Sequence, residues 1–321
     1  MSSRSLQAAG ILLVAAAALF VGYRVLVSDG IDSAQQEVVT ELTEIAPPAS
    51  NSAPDNSAVP NEIEPPSADA EDNFPAITTD AIRGNADNAP VELGFTIVET
   101  LAHDTAAFTQ GLEINDDRLF ESTGLVGQSS IRELDLATGD VVRLTDVPDV
   151  FAEGLTIVDD TAIQITWQDE IAYRYDLETF EVTNTYSYEG QGWGICYDGS
   201  QLVMSDGTST IDFRDAETFE LRSSVEVTLG NEPVAMINEL ECVNGSVFAN
   251  IWQSSLIIEI DPTTGDVIGV LNANSLTPPD INVNTGAVLN GIAYDAVDGT
   301  FLLTGKLWPT IYRVQISPVA Q

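Results

Sequence analysis

From about Glu92 to Ile316 the chain alternates short apolar runs with turn residues, a pattern that predicts strands rather than helices. Five segments of this stretch match one another: FTQGLEINDDRLFESTG from Phe108, FAEGLTIVDDTAIQITW from Phe151, GWGICYDGSQLVMSDG from Gly192, INELECVNGSVFANIW from Ile237 and LNGIAYDAVDGTFLLTGK from Leu289. Each reads as an apolar strand, a turn carrying Asp, Asn or Gly, and a returning apolar strand. The equivalent residues Gly111, Gly154, Gly194, Glu239 and Gly291 are spaced 43, 40, 45 and 52 apart. Second hairpins lie between them, such as IRELDLATGDVVRL and AYRYDLETFEVTNTY, turning on Asp-x-x-Thr-Gly/Phe. Two hairpins make a four-stranded antiparallel sheet of roughly 40–50 residues, the size of one propeller blade. GFTIVETL before the first unit and TIYRVQI after the last are placed to complete one blade from both ends. The predicted fold is all-β, a five-bladed β-propeller over residues 92–317. An open β-solenoid or two sandwiches is the competing arrangement.

The chain ahead of this domain has a different character. Leu6–Tyr23 is almost wholly apolar and follows Arg4. At roughly 20 residues it is long enough to span a bilayer, and no clear small-x-small cleavage site follows. Residues 1–27 therefore read as an apolar signal-anchor helix, with a cleaved signal peptide as the alternative. Residues 28–91 are rich in Pro, Ser, Ala, Asn and acids. Such a segment has too few large apolar groups to offset its ordering entropy and reads as a disordered acidic linker. Anchor, tether and domain together predict an extracytoplasmic, periplasmic or secreted protein that meets the membrane only through residues 6–27, and a monomer.

Charge changes the picture in one direction. With 50 Asp and Glu against 11 Lys and Arg, the net charge is −39. The acids are spread along the chain, as on a surface suited to salty surroundings where screening relieves self-repulsion. No basic patch exists to meet phosphates, so nucleic-acid binding is excluded.

The first strand of each unit should line a central channel, and the second should return beside it. Residues at the start of the first strand are Gln110, Glu153, Trp193, Asn238 and Asn290. Those at the end of the second are Thr123, Trp167, Asp206, Trp252 and Lys306. All ten fall at one end of the channel. A purely structural repeat would place similar residues at these equivalent points, and these differ, which suits a site built on a scaffold. Three of the four tryptophans and the chain's single lysine are among them, and Trp308 follows two residues after Lys306.

The ordered motifs AFTQGL, ESTG, FAEG, IQITW, GWG, MSDG, NELE, ANIW, LNGIAYD and TGKLWP resemble the plant and bacterial type of glutaminyl-peptide cyclotransferase (glutaminyl cyclase), with matches in every unit from Glu92 to Ile316. The chain departs from that pattern at Gln191, where Glu usually precedes GWG, and at Thr105, where Pro usually follows His-Asp. The resemblance implies a five-bladed propeller that cyclises the N-terminal glutamine of peptides or proteins to pyroglutamate with loss of ammonia. No enzyme nucleophile is needed, because the substrate's own α-amine attacks its side-chain amide. The site must orient, move protons and stabilise an oxyanion. On this reading Glu153 is the proton shuttle, and Lys306, Asn238, Gln110 and the indole N–H groups are donors to the oxyanion. Trp167, Trp193 and Trp252, with Phe108, Phe151 and Asn290, bind the substrate. A peptide-binding propeller without catalysis and a calcium-dependent, lactonase-like hydrolase are the competing functions.

One histidine, His103, and no cysteine pair at ligand spacing argue against a zinc site, so no cofactor is expected; a structural calcium ion held by Asp side chains in the channel remains compatible. His103 precedes the first repeat and reads as structural. Cys196 and Cys242 fall on the first strands of neighbouring units, one register position apart, so that they point to opposite sheet faces. Facing units can bring such a pair together as a disulfide in an oxidising compartment, or leave two buried thiols.

The acidity makes a prediction of its own. Raising NaCl from about 0.1 M to about 1 M shortens the Debye length from ~10 Å to ~3 Å. The thermal midpoint should rise across that range, and a flat response in a salt series would show that the acids do not strain the fold.

Overall fold

The computed structural model describes residues 89–319; the predicted anchor helix and the predicted linker up to residue 88 lie outside the described residues, and Val91, placed in the linker, is the first residue of a strand. The described fold is all-β, with two short 3-10 turns at Asn274–Leu276 and Val283–Thr285. It opens with β1 (Val91–Ala102). Unit one is β2 (Thr109–Asn115), β3 (Arg118–Thr123), β4 (Ser130–Leu134) and β5 (Val141–Asp146). Unit two is β6 (Ala152–Val158), β7 (Thr161–Thr166), β8 (Ile171–Asp176) and β9 (Val182–Ser187). Unit three is β10 (Ile195–Tyr197), β11 (Leu202–Ser205), β12 (Thr210–Arg214) and β13 (Leu221–Glu226), followed by a small ribbon of β14 (Thr228–Leu229) and β15 (Glu232–Pro233). Unit four is β16 (Ile237–Val243), β17 (Ser246–Ile251), β18 (Leu256–Ile260) and β19 (Val267–Asn272). Unit five has β20 (Leu289–Asp295), β21 (Thr300–Gly305) and β22 (Thr310–Pro318).

Each of units one to four is an antiparallel meander. The fifth takes β1 as its fourth strand, since Phe95 to Ala102 pair antiparallel with Ile316 to Thr310. The first residues of β1 also pair in parallel with β19, from Val91 with Gly269 to Leu93 with Leu271. One strand from the start of the domain thus joins the last two units into an eight-stranded sheet. The inner strands β2, β6, β10, β16 and β20 pack each against the next, and β20 packs back on β2. Apolar cores lie between successive sheets, where period-2 side chains from both faces meet.

The glycines at the repeat positions explain how close the inner strands come. A Cβ on Gly111 would lie 2.5 Å from the Leu155 nitrogen, on Gly154 2.7 Å from the Ile195 nitrogen, and on Gly194 2.1 Å from the Asn238 carbonyl oxygen. Unit four has Glu239 at the equivalent place, and its carboxyl reaches across to the neighbours. Oε1 accepts from the Leu112 N–H at 3.3 Å and Oε2 from the Ile292 N–H at 2.9 Å. Burial raises its pKa well above the usual carboxylate range, and the two backbone donors pull it back down.

Cys196 on β10 and Cys242 on β16 form a disulfide, with Cα atoms 5.5 Å apart and a sequence separation of 46. A loop of that length stabilises by about 4 kcal/mol in the chain-entropy account.

Glu239 makes the ring testable. Glu239→Gly restores the repeat's glycine but leaves two buried N–H donors without their acceptor, at about 1–3 kcal/mol each. Urea unfolding should show a loss of about 2–5 kcal/mol; an unchanged midpoint would mean that the bridge carries no load.

Candidate active site

The inner strands do not begin as regular ladder. The pairing register shifts between Thr109 and Gly111, Ala152 and Leu155, Ile237 and Leu240, and Leu289 and Ile292. The residues inside these irregularities are Gln110, Glu153, Asn238 and Asn290, each followed by the repeat's glycine or Glu239. A bulge leaves its extra residue out of the ladder and re-aims its side chain. Gln110, Glu153 and Asn238 point into one cavity of about 390 Å³, together with Phe108, Phe151, Trp193, Trp252 and Lys306.

Four of the ten end-of-channel residues read from the sequence are not on its wall. Asn290 stands behind it, donating to the Thr109 carbonyl at 3.0 Å and approaching Gln110 Oε1 at 3.5 Å. Trp167 backs Phe151, ring centroids 5.6 Å apart, rather than lining the cavity. Asp206 and Thr123 are also absent from the lining. Asp206 holds its own turn, accepting from the Thr208 N–H and hydroxyl, and Thr123 bonds Ser130.

Aromatic contacts run along the cavity's edge. The Lys306 ammonium sits 4.9 Å over the Phe108 ring, Phe108 meets Phe151 edge-on at 6.2 Å, and Trp193 meets Trp252 edge-on at 5.5 Å. Between Trp167 and Trp193 the connection is polar. Gln191 Oε1 accepts from Trp167 Nε1 at 2.7 Å and from Trp193 Nε1 at 3.0 Å. This corrects the expectation that indole N–H groups serve an oxyanion, because two of the three are already committed to Gln191.

The cavity floor holds the two ionisable groups. Glu153 and Lys306 are 4% and 3% exposed, and Lys306 makes no direct salt bridge, whereas each described arginine pairs with a carboxylate. Burial pushes the Glu153 carboxyl up to about 8, with the Lys306 charge pulling the other way. Burial likewise lowers the Lys306 ammonium to about 8, opposed by Glu153. Lys306 Nζ donates to Gln110 Oε1, so the Gln110 amide is held with its oxygen toward the ammonium. Among the described residues Asn238 Oδ1 is buried without a hydrogen-bond partner, and its Nδ2 donates to none.

Behind the floor, His103 ties two site segments together. Nδ1 donates to the Trp308 carbonyl at 2.8 Å and Nε2 to Glu121 Oε1 at 2.9 Å, while Thr109 Oγ1 donates to the same carboxylate at 2.7 Å. Burial works against the imidazolium, but the Glu121 charge and hydrogen bond and the Trp308 carbonyl raise its pKa overall. His103 thus joins the segment after Lys306 to the one before Gln110.

The cavity also has residues that sequence reasoning missed: Gln253, Val283, Asn284, Gly286 and Val288. Four come from the connection at residues 273–288, whose one signal in the sequence was the 52-residue spacing to the last repeat.

A family model described as glutamine cyclotransferase matches residues 74–316. The chain belongs to the glutamine cyclotransferase family. It is 37% identical over 225 residues to an Arabidopsis thaliana protein named glutaminyl-peptide cyclotransferase, covering 68% of this chain and 70% of that one. The crystal structure of Myxococcus xanthus glutaminyl cyclase aligns with a TM-score of 0.69 and 40% identity, over 72% of this chain and 100% of that chain. Within this cyclotransferase fold, Gln191 accepts both indole N–H groups through one neutral oxygen.

Gln191→Leu removes that acceptor, and the partly buried indoles should lose about 1–3 kcal/mol in urea unfolding, with a shifted tryptophan emission. Gln191→Glu, whose carboxylate again accepts from both indoles, should restore the emission. Wild-type emission and stability in Gln191→Leu would mean that the amide does not hold the aromatic wall.

Proposed function

We propose that this chain converts the N-terminal glutamine of peptides and proteins to pyroglutamate and releases ammonia. The observation that carries the reading is the buried Glu153–Lys306 pair on the floor of an aromatic-walled cavity, in a chain of this family. The four-stranded units would be the blades of a five-bladed propeller over residues 92–317, with this cavity at one mouth of its channel.

The reaction joins the substrate α-nitrogen to its own side-chain amide carbon and breaks the bond from that carbon to the amide nitrogen. Glu153, as carboxylate, takes a proton from the attacking amine. As the carboxylic acid it then returns that proton to the departing nitrogen, which leaves as ammonia. A carboxyl whose pKa is near the working pH serves both directions. Negative charge gathers meanwhile on the former amide oxygen. Lys306, held by Gln110, and the Asn238 Nδ2 group, which donates to no described residue, are the donors placed to receive it. Phe108, Phe151, Trp193 and Trp252 favour an uncharged side chain on the substrate, with Trp167 and Asn290 supporting this wall and floor from behind. The steps need no metal or cofactor. A calcium-dependent hydrolase would want several carboxylates around one point, and the cavity lining includes Glu153 alone.

The Cys196–Cys242 disulfide supports an oxidising, extracytoplasmic location, with residues 1–27 as its anchor or signal peptide and residues 28–91 as the tether. The domain acts as a monomer on this reading.

Incubation with a Gln-initiated peptide should produce a loss of about 17 Da, the mass of ammonia, and Glu153→Gln should abolish turnover; peptide binding without mass loss in the wild type would favour a non-catalytic binder. Ionised Glu153 accumulates as pH rises toward about 8 and protonated Lys306 is lost above about 8. The pH profile of kcat/KM should therefore be a bell with both limbs near that value, belonging to the pair. The raised carboxyl pKa also means that stability is lost as pH rises from the unfolded value through about 8. Glu153→Gln should consequently melt higher than wild type at pH 9, and a lower midpoint would contradict the buried-acid assignment.

A further inference from the structure

The cavity is graded from floor to rim. Gln110, Glu153, Asn238 and Lys306 are buried, whereas Gln253, Val283 and Asn284 on the same wall are exposed. A glutaminyl residue cyclising on the floor engages its α-amine and its side chain there. Its main-chain carbonyl is the only remaining route to the rest of a peptide. The second residue must therefore leave past the rim.

The rim is built to meet a main chain. Gln253 and Asn284 each carry one donor-acceptor amide, and neither side chain hydrogen-bonds to any described residue; Gln110 and Gln191, by contrast, are both engaged. Gln253 holds a left-handed backbone, φ 59°, just after Trp252. The equivalent residues after Asp206 and Lys306 turn the same way, Gly207 at φ 85° and Leu307 at φ 61°. Asn284 is fixed by its own loop: its N–H donates to Asn282 Oδ1 at 3.2 Å, and Gly286, at φ 80°, ends the turn beside the Phe108 ring. The connection is clipped to the floor, since the Lys306 N–H donates to the Val288 carbonyl at 2.9 Å.

We propose that Gln253 and Asn284 form a subsite that binds the peptide bond between the first and second substrate residues through its C=O and N–H. This rests on the cyclotransferase reading above. It makes the substrate class peptides and proteins of varied second residue rather than free glutamine. Free glutamine offers no N–H at that point, and it brings a carboxylate to a chain of net charge −39. The exposed rim leaves the second side chain largely in water, so its identity matters little.

The test compares kcat/KM on L-glutamine, Gln-Ala and Gln-Val for wild type, Gln253→Gly and Asn284→Ala, with melting curves for each. Gln253→Gly keeps the left-handed backbone, and Asn284 is exposed, so both variants should fold. Wild type should prefer both dipeptides over glutamine by about 10-fold or more and treat the two alike, as expected for one or two neutral hydrogen bonds. Each variant should lose about 5- to 10-fold on the dipeptides and narrow their advantage over glutamine. Equal wild-type rates on glutamine and Gln-Ala overturn the subsite while leaving the cyclotransferase reading intact, and so do variant losses of the same size on all three substrates. No turnover on any substrate overturns both.

Discussion

The close approach of the five inner strands is the constraint from which the rest of the molecule follows. At Gly111, Gly154 and Gly194 there is no room for a Cβ before the next strand's backbone begins. Strands this close cannot keep regular ladders to their ends, and four of them carry register irregularities at this level. Three of those irregularities put Gln110, Glu153 and Asn238 into the cavity. Closure of the ring and aim of the site are therefore one local feature seen from two sides. Where the repeat lacks its glycine, Glu239 substitutes a carboxyl bridge to Leu112 and Ile292.

The electrostatics of the site run against those of the surface. A chain of net charge −39 keeps its single lysine buried beside a buried carboxyl. Neither group is comfortable as an ion there, and each is shifted toward neutrality by burial while partly rescued by the other. Such a pair destabilises the fold locally, and the surroundings compensate by rigidity. Gln110 fixes the ammonium, and Gln191 fixes two indoles. His103, with Glu121 and Trp308, locks the segments that carry Gln110 and Lys306. The unpaired, buried Asn238 oxygen adds a further cost to stability at the same place.

Particular residues show how far the one-dimensional pattern carries. The turn Asp-x-x-Thr-Gly/Phe was readable as a turn in all four copies, and the aspartates do accept the expected N–H groups. Why two copies use phenylalanine was not readable. Phe180 and Phe219 adopt left-handed backbone, at φ 57° and 63°, because their rings fill the space between sheets, under Arg143 and against Tyr186 and Tyr188. Gly139 and Gly265 at the same place lie against a carbonyl oxygen that a Cβ would strike at 1.9 and 2.0 Å. Likewise Trp167 and Asn290 occupy ring positions by alignment, yet they end one layer behind the wall. The residues of the 273–288 connection were missed because a loop has no repeat to be aligned with.

Alternation and repetition along the chain determined the strands, the five units, the completion of the fifth by β1, and the end of the channel where the chemistry gathers. These follow from period-2 burial and turn chemistry, which act over a few residues and are written locally. The tertiary structure decided which side chains reach the cavity, which indole N–H groups are already taken, and where the rim lies. Those depend on bulges, on the contact of each strand with the next, and on a long connection folding back over the site. The side-chain contacts behind the site join residues far apart in the chain, 205 positions for His103 and Trp308, and unlike strand pairing they follow no repeat that a local pattern could show.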